Sequence, residues 1–131
     1  MEILPPKILL IEDDQDTQIL LKENLKKAGY QVIGVGTGEE GLTAFKKHKP
    51  DLVILDVGLP GIDGWEVLRR IKSGPFSRKT PVLMLTARSE TADKVKGYEI
   101  GADFYIAKPF NTQKLLMILR SMLADRPDRS E

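Results

Sequence analysis

The sequence contains no cysteine, so it can form neither a disulfide framework nor a thiolate metal site. It has no excess of one charge either, because 20 basic and 19 acidic residues leave a formal net charge of +1. That balance gives no field that would steer the chain to nucleic acid or to an anionic membrane. No apolar run approaches a transmembrane length, and the first residues, MEILPPK, lack the apolar core of a signal peptide. We therefore expect a soluble cytoplasmic protein of one ordinary domain.

Short apolar runs alternate with segments of helical period, a pattern typical of a parallel sheet covered on both faces. The pattern predicts five strands, at residues 7–11, 31–35, 52–55, 82–86 and 104–107. It predicts five helices, at residues 16–28, 39–47, 64–72, 90–99 and 112–123. These elements form one domain over residues 1–124, and residues 125–131 are predicted to be a flexible tail or the start of a linker.

Helix ends carry local signals. Thr37 and Glu40 have the spacing of a capping box, and Ser89 and Asn111 can accept the first free amide protons of the helices that follow them. Gly29 follows two lysines and an alanine, as expected just beyond a helix C-terminus. These signals support the predicted helix boundaries.

Polar side chains stand where the predicted strands end. In an open parallel sheet the carboxyl ends of the strands share one edge, and ligands bind there. The residues at these ends should therefore converge on a single pocket. They supply three acids, a hydroxyl and an ammonium, which suit a metal ion and a phosphoryl group: Glu12, Asp13, Asp56, Thr86 and Lys108.

Four segments carry a family resemblance: KILLIEDD, DLVILDVGLPGIDG, PVLMLTA and ADFYIAKPF. In this order and spacing, and over nearly the whole chain, the sequence resembles the receiver domain of two-component response regulators. The resemblance implies a flavodoxin-like, doubly wound α/β fold with five helices. The five parallel strands would then have the order 2-1-3-4-5 that flavodoxin and chemotaxis receivers share.

The resemblance also implies a chemistry. Asp56 would accept a phosphoryl group from the phosphohistidine of a sensor histidine kinase or a phosphotransfer protein. Asp13 and Asp56 would bind Mg²⁺ directly, Glu12 would act through a water, and the carbonyl of Gly58 would add an oxygen.

A switch is implied by the same resemblance. Lys108 would pair with the phosphoryl oxygens, and the Thr86 hydroxyl would bond one of them after transfer. The ring of Tyr105 would then turn inward into the space that Thr86 leaves. The surface of the fourth helix, fifth strand and fifth helix would report the change to a downstream effector domain or protein.

The resemblance also implies that Gly58 and Arg88, two residues after Asp56 and two after Thr86, tune the lifetime of the phosphoaspartate, in opposite directions. Gly58 leaves water unhindered, whereas Arg88 can fork onto the phosphoryl group. An aspartate-based, Mg²⁺-dependent phosphohydrolase is the enzymatic alternative. Such enzymes use an acid two residues after the nucleophile, where this chain has Gly58, which cannot transfer a proton. We expect no enzymatic activity beyond self-phosphorylation and slow dephosphorylation.

The expected partner surface is apolar. Receivers that drive DNA-binding regulators commonly dimerise through charged pairs, but this chain has Phe104 and Ile118 at two of those positions. With Tyr105 and Met117 these residues predict an apolar contact patch for a protein partner or a phosphorylation-dependent homodimer. The core side of the fifth helix is predicted to be Leu115, Leu119, Met122 and Leu123.

Other readings of the sequence remain. Residues 36–41 match G-x-G-x-x-G with an acid about 20 residues on, as in a dinucleotide site. Glu39 and Glu40, however, would place two negative charges where the pyrophosphate must sit, so the glycines are expected to make a tight connection. His48 is expected to be a solvated helix cap, not a phosphorelay or metal-binding histidine. A pseudo-receiver that binds partners without phosphorylation is the remaining alternative.

Overall fold

The computed structural model describes residues 4–75, 77–87 and 98–124. Its centre is a five-stranded parallel sheet of order β2-β1-β3-β4-β5, as predicted. The strands are β1 (Lys7–Ile11), β2 (Gln31–Val35), β3 (Leu52–Asp56), β4 (Val82–Thr86) and β5 (Phe104–Ala107). Four strands have the predicted bounds, and β3 extends one residue further to include Asp56 itself.

Helices cover both faces of the sheet. They are α1 (Gln15–Lys27), α2 (Gly38–His48), α3 (Gly64–Ser73) and a C-terminal helix (Thr112–Ala124), with a 3₁₀ turn at Ser77–Lys79. Each predicted boundary in these helices lies within one residue of the observed one. Most of the predicted helix 90–99 falls outside the described residues, and residues 98–100 are helical. No helix in the described part of the chain has the length and apolarity that a membrane crossing needs.

The apolar runs of the strands divide between two cores, because successive side chains of a strand point to opposite faces. In β1, Leu9 and Ile11 pack on the face that α2 and α3 cover. Ile8 and Leu10 pack on the opposite face, with residues of α1 and the C-terminal helix. These four of the five β1 side chains are completely buried, which explains why the strand has no polar alternation.

The predicted caps that fall in the described residues are confirmed. The Thr37 hydroxyl accepts a hydrogen bond from the Glu40 amide at 3.1 Å, and Asn111 Oδ1 accepts one from the Lys114 amide at 3.1 Å. Gly29 follows α1 with φ +98°, a left-handed conformation that favours glycine. Ser89 lies outside the described residues.

Two glycines of the G-x-G-x-x-G match are packing positions. A Cβ on Gly38 would lie 2.7 Å from side-chain carbons of Ile62 and Val67, and one on Gly41 would lie 2.4 Å from Ile11 Cδ1. These glycines therefore let α2 approach β1 and the start of α3. This agrees with the predicted tight connection and gives no support to a dinucleotide site.

Candidate functional site

The polar residues predicted to converge come together at the carboxyl edge of the sheet. Glu12 follows β1, Asp56 ends β3 and Lys108 follows β5. Glu12 and Asp56 are buried, at 0% and 6% exposure. The Lys108 amide donates a hydrogen bond to the Thr86 carbonyl at 2.6 Å, which fixes the end of β5 to the end of β4.

Three carboxylates form one group. Glu12, Asp13 and Asp56 each offer an oxygen, and these oxygens all lie within 4.8 Å of one another. Asp13 is exposed, so the group has one open side. Hard oxygen donors with access to water suit Mg²⁺, which keeps several waters when a protein binds it. The residues present therefore fit this ion.

Lys108 joins the two buried acids. Its Nζ donates a hydrogen bond to Glu12 Oε1 at 2.7 Å and to Asp56 Oδ2 at 3.1 Å. Burial alone would lower the pKa of Lys108, but the hydrogen bonds and charges of Glu12 and Asp56 outweigh it, so the pKa is raised. The ammonium is therefore a permanent positive charge beside the acids at neutral pH.

Glu12 differs from an ordinary glutamate. Burial raises its pKa to about 7, because the desolvated anion is disfavoured; the Lys108 hydrogen bond opposes this rise and Asp56 adds to it. Its second oxygen, Oε2, accepts a hydrogen bond from the Asp14 amide at 3.1 Å. Both carboxylate oxygens of Glu12 are thus held in place.

The loop after β3 is fixed by close backbone contacts. The Gly58 amide donates a hydrogen bond to Asp56 Oδ1 at 3.1 Å. The Gly64 amide donates to the Val57 carbonyl at 3.0 Å, and a Cβ on Gly64 would lie 2.3 Å from the Asp56 carbonyl oxygen. The first turn of α3 therefore rests directly on the backbone that carries the Asp56 carboxylate.

Thr86 and Tyr105, the predicted switch residues, are both buried, at 3% and 7% exposure. The Tyr105 ring stacks on Trp65, with centroids 6.1 Å apart and planes at 29°. It also lies against Tyr98, with centroids 6.4 Å apart and planes at 53°. Trp65 is not among the predicted site residues, since a tryptophan in the first turn of an amphipathic helix has the pattern of an ordinary core residue.

Gln18 is a second residue of the site that the sequence did not predict. Its side-chain amide donates hydrogen bonds to the carbonyls of Glu12 at 3.0 Å and Val35 at 2.9 Å. The Glu12 amide in turn donates to Val35 at 3.0 Å. Gln18 therefore ties the ends of β1 and β2 together beside the acidic group. An isolated glutamine in an amphipathic helix carries no sequence signal for such a role.

The predicted partner patch is exposed in part. Met117 and Phe104 are 68% and 39% exposed, whereas Ile118 packs partly against the core and Tyr105 is buried. Tyr105 therefore adds little to the outer surface in this conformation. The predicted core side of the C-terminal helix is confirmed: Leu115, Leu119 and Leu123 are buried and Met122 packs against them.

Two predicted residues remain to be placed, Arg88 and His48. Arg88 lies outside the described residues. His48 is the last residue of α2, and its carbonyl accepts a hydrogen bond from Lys7 Nζ at 3.2 Å. Among the described residues the group with metal-binding spacing is acidic and does not include His48.

A parallel sheet of order 2-1-3-4-5, with buried acids and a lysine at its carboxyl edge, defines a doubly wound, flavodoxin-like α/β protein with a polar ligand site at that edge. The sequence model of the response regulator receiver domain matches residues 8–120. The chain belongs to this family. Receiver domains are signalling switches and bind Mg²⁺ in their active site.

The chain is also similar to curated transcriptional regulatory proteins. The chain is 40% identical over 118 residues to the phosphate regulon transcriptional regulatory protein PhoB of Rhizobium meliloti, covering 90% of this chain and 52% of the relative. It is 42% identical over 117 residues to the alkaline phosphatase synthesis transcriptional regulatory protein PhoP of Bacillus subtilis, covering 89% of this chain and 48% of the relative. The chain thus spans about half the length of these relatives.

Solved structures share the fold. A putative response regulator from Chloroflexus aurantiacus is 40% identical, with a TM-score of 0.87 over 92% of this chain and 98% of that one. The receiver domain of the sensor histidine kinase PA1611 from Pseudomonas aeruginosa is 29% identical, with a TM-score of 0.85 over 92% of this chain and 99% of that one. That structure has a magnesium ion coordinated in its active-site cleft.

Proposed function

We propose that Asp56 is the phosphoacceptor of this receiver domain and takes its phosphoryl group from a phosphohistidine on a sensor histidine kinase or a phosphotransfer protein. One observation carries the proposal. The Asp56 carboxylate accepts hydrogen bonds from both the Gly58 amide and the Lys108 ammonium, and it belongs to the group of three acids. A carboxylate repels phosphate, so an acceptor needs nearby positive charge, which Lys108 supplies.

Mg²⁺ is the cofactor in this proposal. Asp13 and Asp56 would bind it directly, Glu12 through a water, and the Gly58 carbonyl would supply a further oxygen. When bound, the ion neutralises charge between the acids and the phosphoryl oxygens. Asp13 is exposed while Glu12 is buried, which is consistent with the direct role of Asp13 and the supporting role of Glu12.

In the transfer step an Asp56 carboxylate oxygen forms a bond to phosphorus. The P–N bond to the partner's imidazole breaks, and its electron pair stays on nitrogen. After transfer, the Lys108 ammonium would contact the phosphoryl oxygens while it keeps its contact with Glu12. The Thr86 hydroxyl would then donate a hydrogen bond to one phosphoryl oxygen. The chain's own contribution is positioning and charge neutralisation.

The output is a change at the surface of the fourth helix, β5 and the C-terminal helix. Movement of Thr86 toward the phosphoryl group is coupled to the inward position of Tyr105. Phe104, Met117 and Ile118 would form an apolar patch there for a protein partner or for a homodimer that depends on phosphorylation. Neither nucleic acid nor membrane is a direct partner of this domain in the proposal.

The whole protein is proposed to act in the cytoplasm and to pass the signal to a downstream effector domain or protein. Residues 1–124 would be the receiver and residues 125–131 a tail or the start of a linker. Gly58 and Arg88 would set the lifetime of the phosphoaspartate. Turnover of other phosphoesters is not expected, because Gly58 offers no proton at the position where phosphohydrolases have an acid.

The test is intact mass spectrometry after incubation with acetyl phosphate and Mg²⁺. We expect a gain of about 80 Da, one phosphoryl group, that disappears in Asp56→Asn or when the metal is chelated. Asp16→Asn, which changes an exposed acid in the first turn of α1, is the matched control and should keep the gain. A folded protein that neither gains this mass nor binds beryllofluoride would instead be a pseudo-receiver.

A further inference from the structure

Trp65 is the single tryptophan of the chain, and its ring stacks on that of Tyr105. The separation of 6.1 Å and the angle of 29° between the rings fall in the range where aromatic pairs attract one another beyond their buried area. Tyr105 is 7% exposed in this arrangement. Trp65 therefore stabilises the buried position of the Tyr105 ring over an outward one.

Trp65 is also tied to the backbone of Asp56. It follows Gly64, whose amide donates a hydrogen bond to the Val57 carbonyl at 3.0 Å. Gly64 lies so close to Asp56 that an added Cβ would be 2.3 Å from the Asp56 carbonyl oxygen. One turn of helix thus joins the Asp56 loop to the Tyr105 ring, a contact route separate from that through Thr86 on the neighbouring strand.

We propose that Trp65 is a positioning residue that holds Tyr105 in the buried position and thereby raises the affinity of the site for a phosphoryl group. The inference rests on the proposed function, in which buried Tyr105 accompanies the movement of Thr86 toward the phosphoryl group. Coupling between two equilibria is reciprocal, so a residue that favours buried Tyr105 also favours the phosphoryl-bound state.

The contact with Tyr98 extends the route outward. Tyr98 is 51% exposed and lies with its ring centroid 6.4 Å from that of Tyr105. The ring of Tyr105 thus has one aromatic neighbour near the Asp56 loop and another at the surface. A double-mutant cycle of Trp65 and Tyr105 measures the energetic coupling of this pair.

The experiment measures the affinity for beryllofluoride in saturating Mg²⁺ by isothermal titration calorimetry. The variants are Trp65→Leu, Tyr105→Leu and the double substitution. An aromatic pair of this kind shifts a two-state equilibrium by about two- to tenfold, so Trp65→Leu should weaken binding by that factor. In the Tyr105→Leu background the same substitution should have no further effect. The affinity for Mg²⁺ alone should be unchanged in all three variants.

Phe45→Leu is the matched control. Phe45 packs against the same core cluster as Tyr105, so it tests the loss of a ring from this core. Its substitution should leave beryllofluoride affinity unchanged. Trp65→Phe is the second variant, for use if Trp65→Leu fails to fold. It keeps a smaller ring, so it should lose less affinity for beryllofluoride than Trp65→Leu. This loss should also occur only when Tyr105 is present.

Two results would overturn the role of Trp65. One is a Trp65→Leu affinity equal to that of Phe45→Leu, and the other is a loss that persists in full in the Tyr105→Leu background. Failure of the unchanged protein itself to bind beryllofluoride in Mg²⁺ would overturn the proposed function, and this inference with it. The behaviour of the unchanged protein therefore separates the two kinds of failure.

Discussion

The Nζ atom of Lys108 lies 2.7 Å from Oε1 of Glu12, a side chain with no exposure to solvent, and the same ammonium reaches Asp56 Oδ2 at 3.1 Å. In the proposed site the ammonium would therefore compete with Mg²⁺ for the Asp56 carboxylate and for the Glu12 carboxylate, which acts through a water. This competition gives Lys108 a second effect on the site besides its proposed contact with the phosphoryl oxygens.

Lys108→Ala should bind Mg²⁺ more tightly than the unchanged protein, because the competing cation is gone. Without metal, the variant should lose about 1–3 kcal/mol of unfolding free energy, since two acids lose their partner. Isothermal titration calorimetry measures the affinity for Mg²⁺, and urea denaturation measures the free energy of unfolding. Lys114→Ala, at an exposed position of the C-terminal helix, is the control. Equal Mg²⁺ affinities in the two variants would contradict the competition.

The raised pKa of Glu12 predicts that Mg²⁺ binding weakens in acid. With a folded-state pKa of about 7, Glu12 is largely protonated at pH 6 and largely ionised at pH 8. If binding requires the anion, the affinity should fall by about tenfold between pH 8 and pH 6. Titrations at both pH values measure the fall, and Glu12→Gln should reduce it. An equal pH dependence in Glu12→Gln would assign the effect to another group.

The free energy of unfolding without metal should decrease as the pH rises, whereas the affinity for Mg²⁺ should increase. The folded-state pKa of Glu12 is raised from the ordinary value of 4.5 to about 7, so the folded protein binds the proton more tightly than the unfolded chain. The contribution of Glu12 is therefore fully present below pH 4.5 and is lost as the pH rises through about 7. In Glu12→Gln this part of the pH dependence of unfolding should disappear.

Gly64→Ala should destabilise the protein although alanine is the better helix former. Its Cβ would meet Asp56 and Val57 backbone atoms at 2.3 and 2.7 Å, so the helix or the Asp56 loop must move. The expected loss is about 1–3 kcal/mol, measured by urea denaturation. Gly58→Ala is the matched control, because its Cβ would meet only Asp56 Oδ1, at 3.9 Å. Equal stabilities would show that the two positions are equally open.

The strands and the site edge could be predicted because they depend on local pattern. Apolar runs with abrupt polar ends fixed four of five strand bounds, and parallel topology then placed Glu12, Asp56 and Lys108 at one edge. The contact of Lys108 with both acids could not be predicted, since it depends on how a long, flexible side chain settles among three elements. Trp65 was missed because a tryptophan in an amphipathic helix has the ordinary pattern of a core residue.

Met117→Lys should weaken the proposed phosphorylation-dependent homodimer by on the order of tenfold, because a charge would enter an apolar contact. Met117 is 68% exposed, so the fold should tolerate the change; Ile118 packs partly against the core and is a poorer position for this test. Sedimentation velocity with beryllofluoride and Mg²⁺ measures the association. Ile19→Lys, on α1 and 55% exposed, is the control. If both variants associate like the unchanged protein, Met117 is not in the interface.

The hydrogen bond between Lys108 and Glu12 joins residues 96 positions apart. Glu12 leaves the ribosome first, Asp56 much later, and Lys108 only after β5 has been synthesised. A nascent chain that ends before β5 holds its acids without their ammonium and lacks the strand that carries Tyr105. The proposed phosphoacceptor site is therefore complete only after all five strands have been translated. A product truncated before β5 would then be unable to compete with the full chain for phosphoryl groups.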